Sequence, residues 1–378
     1  MAESSSVETV PALSRTPPRL VVVVFVLMMT MFTITGFLAR SYKREKVVRA
    51  EQQYRAGLER MEAGNYSAAI DLYTEALALK RDEEQYLQAL ALVLVRAGRT
   101  REAETYLLQL ARSNPSNGVA NLELARIYAG RGGVEEAIQH YQRAIYGFWP
   151  QDALSRRVQI RFELVALYER EERFKDMEAE LLRLLEENPG DEKLKKRIGR
   201  LFLASRSYEN AASVFTEITA GSARDAEAYA GLGDAEFERG NYFSARTAYA
   251  KALSLNPDDL QSRTQHDLST DIINLNPMVR GLGSYTQLRR SQNLVERALK
   301  ALDYCLPEDR DTLPEQFRVP IKKAESLLRD RRGQSRTMES VEGNIALAEE
   351  LERLRQTQCG VAPVQDHALT LVLRQLAS

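Results

Sequence analysis

GNYSAAIDLYTEAL at residues 64–77 and GNYFSARTAYAKAL at residues 240–253 share one frame of Gly-Asn-Tyr, Ala, Tyr and Ala-Leu. Their starts lie five steps of 34 apart with six residues over, which points to a repeat array carrying one insertion. With the small residue of each first helix as anchor, the units fall at Gly57, Ala91, Ala125, Val165, Gly199 and Gly233, with spacings of 34, 34, 40, 34 and 34. Twelve residues after the anchors stand Ala69, Ala103, Ala137, Met177, Ala211 and Ala245. Four further on stand Tyr73, Leu107, Tyr141, Leu181, Phe215 and Tyr249.

A small residue on one helix opposite Ala on the next lets two antiparallel helices approach closely, and the large residue four positions on fills the space beyond. Each unit is therefore expected to be a helical hairpin. Gly64, Gly98, Gly132 and Gly240 close first helices, and Pro115, Pro150, Pro189 and Pro257 stop second ones. A single hairpin cannot bury both faces, so neighbours must stack into an all-α solenoid.

These residues resemble the tetratricopeptide repeat family, whose period is 34 and whose signature is a Leu-Gly pair, Tyr, Ala, an aromatic, Ala and a closing Pro. The sixth unit carries it most fully, with Tyr229, Leu232, Gly233, Ala245, Tyr249, Ala252 and Pro257, and the resemblance spans 50–257. The fourth unit departs, with Val165 and Met177 where small residues belong. The aromatic expected near the start of the first helix is replaced by Gln53, Leu87, Asn121, Arg161 and Lys195.

The resemblance implies partner proteins or peptides bound in a groove lined by the first helices. By that analogy the groove carries Tyr54, Leu58 and Met61, then Leu92 and Val95, then Leu122 and Arg126, a largely apolar surface. In the fifth unit the same face shows Lys193, Lys196 and Arg200, with Arg197 beside them. The apolar patch could take an incoming segment or this chain's own linker helix. The basic one could grip an acidic group, or be a solvated face, the reading preferred here. Chaperone-tail receptors of this family need Lys and Asn one turn apart in the first unit; Tyr54 and Leu58 stand there, so that ligand is not expected.

With 378 residues, 44% hydrophobic and 28% charged, the chain can bury a sizeable core. Its 52 Lys and Arg nearly balance 53 Asp and Glu, so no general attraction to nucleic acid is expected. Residues Leu20 to Leu38 carry no charge and amount to roughly 28 Å of helix, enough to cross a bilayer's hydrocarbon core. Phe37-Leu38-Ala39 offers no A-x-A cleavage site, which favours an anchor over a removed signal peptide. Arg15 and Arg19 precede the span, whereas Arg40, Lys43, Arg44, Lys46, Arg49 and Arg55 follow it, so the positive-inside rule places the C-terminal part in the cytoplasm. The exported side is the alternative.

The expected organisation is a disordered tail over 1–18, a transmembrane helix over 19–39, a basic juxtamembrane linker over 40–49, six repeats over 50–257 with an insertion near 148–157, and a capping helix with further helices over 258–378. Within RAIYGFWPQDALSRR, residues 143–157, Phe148 and Trp149 read as a plug where the repeat phase breaks, with exposed partner anchors as the other possibility. Cys305 and Cys359 read as thiols, although one bridge could form in an oxidising compartment. His140, His266 and His367 stand in no metal-binding spacing, and no phosphate loop, GxSxG elbow or close Cys-His pair occurs. No catalysis, cofactor or metal is expected. The function read from the residues is a single-pass, membrane-tethered scaffold for protein or peptide partners. The alternative is a non-catalytic subunit or regulator of an envelope-assembly or secretion machine, with the solenoid outside the cytoplasm.

Overall fold

The structure is a computed structural model that describes residues 18–304, 306–307, 313–359 and 366–377. The expected tail, apart from Pro18, lies outside these residues, as do Cys305 and the side chain of Cys359. The described residues form seventeen α-helices and no strand, with one isolated bridge between Asn117 and Phe148. The chain divides after Leu167 into two compact units.

The first unit begins with α1 (Pro18–Glu62), 45 residues without a break. The span, linker and first repeat helix, expected as separate segments, are thus one rod about 68 Å long at about 1.5 Å per residue. Gly36 is the only Gly or Pro between Arg19 and Ala56, so nothing in the linker stops the helix. From Val22 to Arg49 every side chain is exposed except the half-buried Gly36 and Lys46, and Ala50 is the first buried one. Among the described residues α1 is the one helix long and apolar enough to cross a membrane.

Three hairpins follow the frame. α1 packs on α2 (Tyr66–Leu79), α3 (Glu84–Arg96) on α4 (Thr100–Ser113), and α5 (Gly118–Arg131) on α6 (Val134–Ile145). A Cβ on Gly57 would lie 2.5 Å from the ring of Tyr73, so the ring can rest on α1 only because that position has no side chain. In the next two hairpins Ala91 with Leu107, and Ala125 with Tyr141, are buried at the same positions.

Between α6 and α7 (Ala153–Arg170) the insertion folds back on the start of α5. Phe148 N donates to Ser116 O at 2.7 Å, and Gly118 N donates to Phe148 O at 3.3 Å. Trp149 covers Gly118 and donates from Nε1 to Ala144 O at 2.8 Å. Trp149 therefore plugs the phase break, whereas the ring of Phe148 stays 69% exposed.

Of the polar replacements for the family's aromatic, Asn121, Arg161 and Lys195 are buried. Asn121 donates to Pro115 O and Asn117 O, which leaves its Oδ1 to accept from Nδ1 of the buried His140 at 2.9 Å. His140 also stacks on Tyr128, with ring centroids 5.4 Å apart.

In the second unit the frame continues through α8 (Phe174–Glu187), α9 (Glu192–Ala204), α10 (Tyr208–Gly221), α11 (Ala226–Glu238) and α12 (Tyr242–Leu255). The Phe215 ring lies against Gly199 of its own hairpin and Gly231 of the following one, and Tyr249 lies against Gly233. Asp191, Asp225 and Asp259, 34 residues apart, cap their helices by accepting from the backbone N–H groups of Leu194, Ala228 and Ser262. Asp259 opens α13 (Leu260–Leu275), which starts a seventh frame.

Instead of a second hairpin helix, α13 meets α14 (Ser284–Asp303) and α17 (His367–Leu376), and α14 packs with α15 (Glu315–Arg329) and α16 (Met338–Cys359). Ile272, Leu294, Leu302, Phe317, Leu351 and Val372 form part of their shared core, so this region packs on itself.

The hairpin turns carry the repeat as well. Gly64, Gly98, Gly132 and Gly240 adopt φ between 75° and 80°, and the two remaining units place Glu172 (φ 54°) and Arg206 (φ 61°) at the same point. A left-handed L-residue costs about 1–2 kcal/mol, partly offset by its smaller unfolded-state entropy. Glu172→Gly should therefore raise stability by about 0.5–1 kcal/mol, whereas Gly233→Ala should lower it by about 1–3 kcal/mol by displacing Tyr249. Chemical denaturation with a probe in the second unit measures both; equal signs would break the assigned frame.

Burial, aided by the charge of Arg143, holds His140 below the ordinary histidine value. The unfolded chain then binds that proton more readily. The stability contributed by the neutral ring is complete above about pH 6.5 and is lost as pH falls through the lowered folded value. Thermal melts between about pH 7 and 5 should show this acid-side slope reduced in His140→Gln, which can still donate to Asn121.

Candidate partner-binding cleft

The first helices of the first unit are joined at one end and open at the other. At the joined end Gln85 Nε2 donates to Tyr54 OH at 3.0 Å, and Tyr86 OH donates to Glu51 Oε2 at 3.1 Å. Burial, with Glu51 beside it, pushes the Tyr86 phenol up to about 12, so it remains a donor. Asn117 Nδ2 reaches Glu84 Oε1 at 2.9 Å and Gln88 Oε1 at 3.1 Å. These bonds tie α1 to α3 and α3 to α5.

At the open end Met61 of α1, Leu92 and Val95 of α3, and Ile127 of α5 line a cleft of about 570 Å³, with Arg126 and Arg131 also lining it. Residues three and four apart share a helix face, which brings Leu92 beside Val95 and Glu123 beside Arg126 and Ile127. Four residues expected in the groove, Met61, Leu92, Val95 and Arg126, thus meet in one place.

The others sit elsewhere. Tyr54 is buried and stacks on Tyr86 at 4.9 Å between centroids, because its ring fills the joint between two first helices. Leu122, only 4% exposed, belongs to the packed layer, and Leu58 is 37% exposed but does not line the cleft. The linker stretch of α1 is exposed and does not cover the cleft.

Three cations line the cleft, Arg96, Arg126 and Arg131, and the last two are ion-paired. Arg126 donates from Nε and Nη2 to Glu163 at 2.9 and 2.7 Å and from Nη1 to Glu123 at 2.7 Å. Hydrogen bonding to Glu163 chiefly holds the guanidinium above its ordinary value. Glu163 stands one unit after Glu123 in the repeat frame, a relation visible only when consecutive units are aligned. Arg131 is held by Glu104 through two bonds of 2.8 Å and lies over the ring of Tyr128. The site presents an apolar floor and an ion-paired rim.

In the second unit the expected basic face is largely matched by acid. Lys196 lies 3.0 Å from Asp225 and 3.2 Å from Glu227, and Arg200 pairs with Glu227. Lys193 is exposed, and the buried Lys195 donates to Glu217 at 2.6 Å. Glu227 stands one period after Lys193 in the frame, and its ion partners are Lys196 and Arg200, three and seven residues beyond Lys193 along that first helix. Among the described residues no group of three or more His, Cys, Asp or Glu could hold a metal ion.

Family profiles described as tetratricopeptide repeat match residues 56–85, 88–153 and 196–259. The unmatched 154–195 contains Val165 and Met177, the departures from a small residue. A TPR repeat-containing thioredoxin, TTL4 of Arabidopsis thaliana, is 32% identical over 110 residues, a match spanning 29% of this chain but only 16% of that protein's length. Similar solved structures include YrrB, described as a TPR protein with an unusual peptide-binding site (17% identity, TM-score 0.38, 52% of this chain and 97% of that one). Another is pilF of Pseudomonas aeruginosa (16% identity, TM-score 0.37, 58% of this chain and 97% of that one). Residues 56–85, 88–153 and 196–259 are thus tetratricopeptide repeats, set in helical hairpins that follow the family's 34-residue frame.

Proposed function

We propose that this protein is a membrane-tethered scaffold whose first unit seats an apolar segment of a partner protein in the cleft between α1, α3 and α5. The observation that carries this reading is the meeting of Met61, Leu92, Val95 and Ile127 from three successive first helices in one open cleft. Arg126 and Arg131 already have carboxylate partners, so they shape the rim, while the exposed Arg96 adds a cation beside the apolar floor. The lining has no His, Cys or Ser, and its Glu123 is engaged by Arg126, which favours binding over catalysis. The apolar part of α1 supplies the tether, and the cations after it favour a cytoplasmic placement of the repeats.

The test places a photo-crosslinking phenylalanine at Leu92, or at the exposed Tyr146 outside the cleft, in the full chain in native membranes. A discrete adduct is expected from position 92, reduced at least about tenfold by Met61→Asp together with Val95→Asp, since each buries a charge where an apolar contact is lost. Equal adducts from both positions, or adducts indifferent to the double substitution, would remove the cleft from the mechanism. Alkaline carbonate should leave the full chain in the membrane pellet and release a chain lacking residues 1–40; release of both would overturn the tether.

A further inference from the structure

Between Leu38, the last apolar residue of the candidate span, and Ala50, the first buried residue, α1 carries Arg40, Lys43, Arg44, Lys46 and Arg49 against a single carboxylate, Glu45. Glu45 is taken by Arg49 at 2.6 Å. No carboxylate of the described residues pairs with Arg40, Lys43, Arg44 or Lys46. At 3.6 residues per turn these four fall within roughly 160° of the helix circumference, while the Glu45–Arg49 pair lies on the other side. Lys46 lies 4.9 Å from the ring centroid of the exposed Tyr42, and Phe37 is exposed one turn earlier. Aromatics at the end of an apolar span, followed at once by cations, are suited to the layer of lipid headgroups.

We propose that this stripe binds the phosphates of anionic phospholipids in the leaflet that holds the C-terminal end of the span. The proposal rests on the membrane-tethered reading of α1. From Leu38 to Lys46 the helix rises about 12 Å, so the cations stand within or just above the headgroups and within about one Debye length of the charged surface. No part of the described chain covers the stripe, and its continuity with the apolar span selects lipid as its occupant. The helix is unbroken to Glu62, so a grip on the stripe also sets the height and rotation of Met61, fifteen residues beyond Lys46, and with it one wall of the cleft.

The full chain, reconstituted in phosphatidylcholine vesicles, can be probed with trace spin-labelled phosphatidylglycerol or spin-labelled phosphatidylcholine, reading the motionally restricted lipid at the protein surface. At low salt phosphatidylglycerol should be preferred by at least about fivefold, roughly what one cation near the surface contributes. The preference should collapse in about 0.5 M NaCl and in the combined Lys43→Gln, Arg44→Gln, Lys46→Gln variant, which should still restrict phosphatidylcholine and so report its own insertion. Restricted lipid without a headgroup preference in the unaltered chain overturns the stripe alone. A preference that survives in the variant overturns its assignment to these residues, and no restricted lipid of either kind overturns the stripe and the tether together.

Discussion

The close approach of a small residue on one helix to a bulky side chain sixteen positions later sets the spacing on which each hairpin depends. Where the small residue is glycine, as at Gly57, Gly199 and Gly233, an aromatic ring lies directly on the helix backbone. Phe215 makes a second such contact, with Gly231 of the following hairpin, so one ring sets both the width of a hairpin and its distance to the next. Dense packing makes such a contact intolerant of even one added carbon. The same requirement accounts for the stretch where the repeat signature fades: Val165 and Met177 put larger side chains at positions held by Gly or Ala in the other repeats, and the family match stops before them and resumes after.

Repetition also decides where the charges go. A side chain facing the next first helix meets residues nearer the start of that helix in the frame, so a cation in one unit can be satisfied by a carboxylate in its neighbour. Arg126 between Glu123 and Glu163, and Lys196 beside Asp225 and Glu227, are two cases of this arrangement. A stripe that reads as basic along one helix is therefore close to neutral in the assembled layer. For the proposed recognition in the first unit this leaves the apolar floor and Arg96.

Much of this was legible in the residues. The 34-residue frame, the small-to-large pairing and the helices after α13 follow from side-chain volume and helical periodicity, which are local properties. Met61, Leu92, Val95 and Arg126 come together in one cleft because one helix face repeats in register. Tyr54 and Leu122 do not join them, because whether a first-helix residue faces ligand or neighbour depends on how closely adjacent hairpins stack. The left-handed turns at Glu172 and Arg206 carry no glycine to announce them; the geometry of the hairpin imposes them on residues that bear the strain. Trp149 and Phe148 were read as a pair, but the extended pairing of Phe148 with the start of α5 turns alternate side chains to opposite faces, one inward and one to solvent.

On the proposed reading of α1 as a membrane tether, its unbroken course changes what the tether can do. A flexible linker would only raise the local concentration of a binding site near the bilayer. A helix bends gently over such lengths and resists rotation about its own axis, so apolar span, cationic stripe and Met61 become fixed points on one rod. From Leu38 to Met61 the rod rises about 35 Å, which, with the apolar part in a bilayer as proposed, would carry the cleft clear of the headgroups and hold it in one orientation toward them. A partner that is itself held in the membrane could then meet the cleft without either protein searching over angle, and less orientational freedom is lost on binding. Recognition by this protein would accordingly be geometric before it is chemical: the apolar floor accepts many side chains, and the rod determines which of them can reach it.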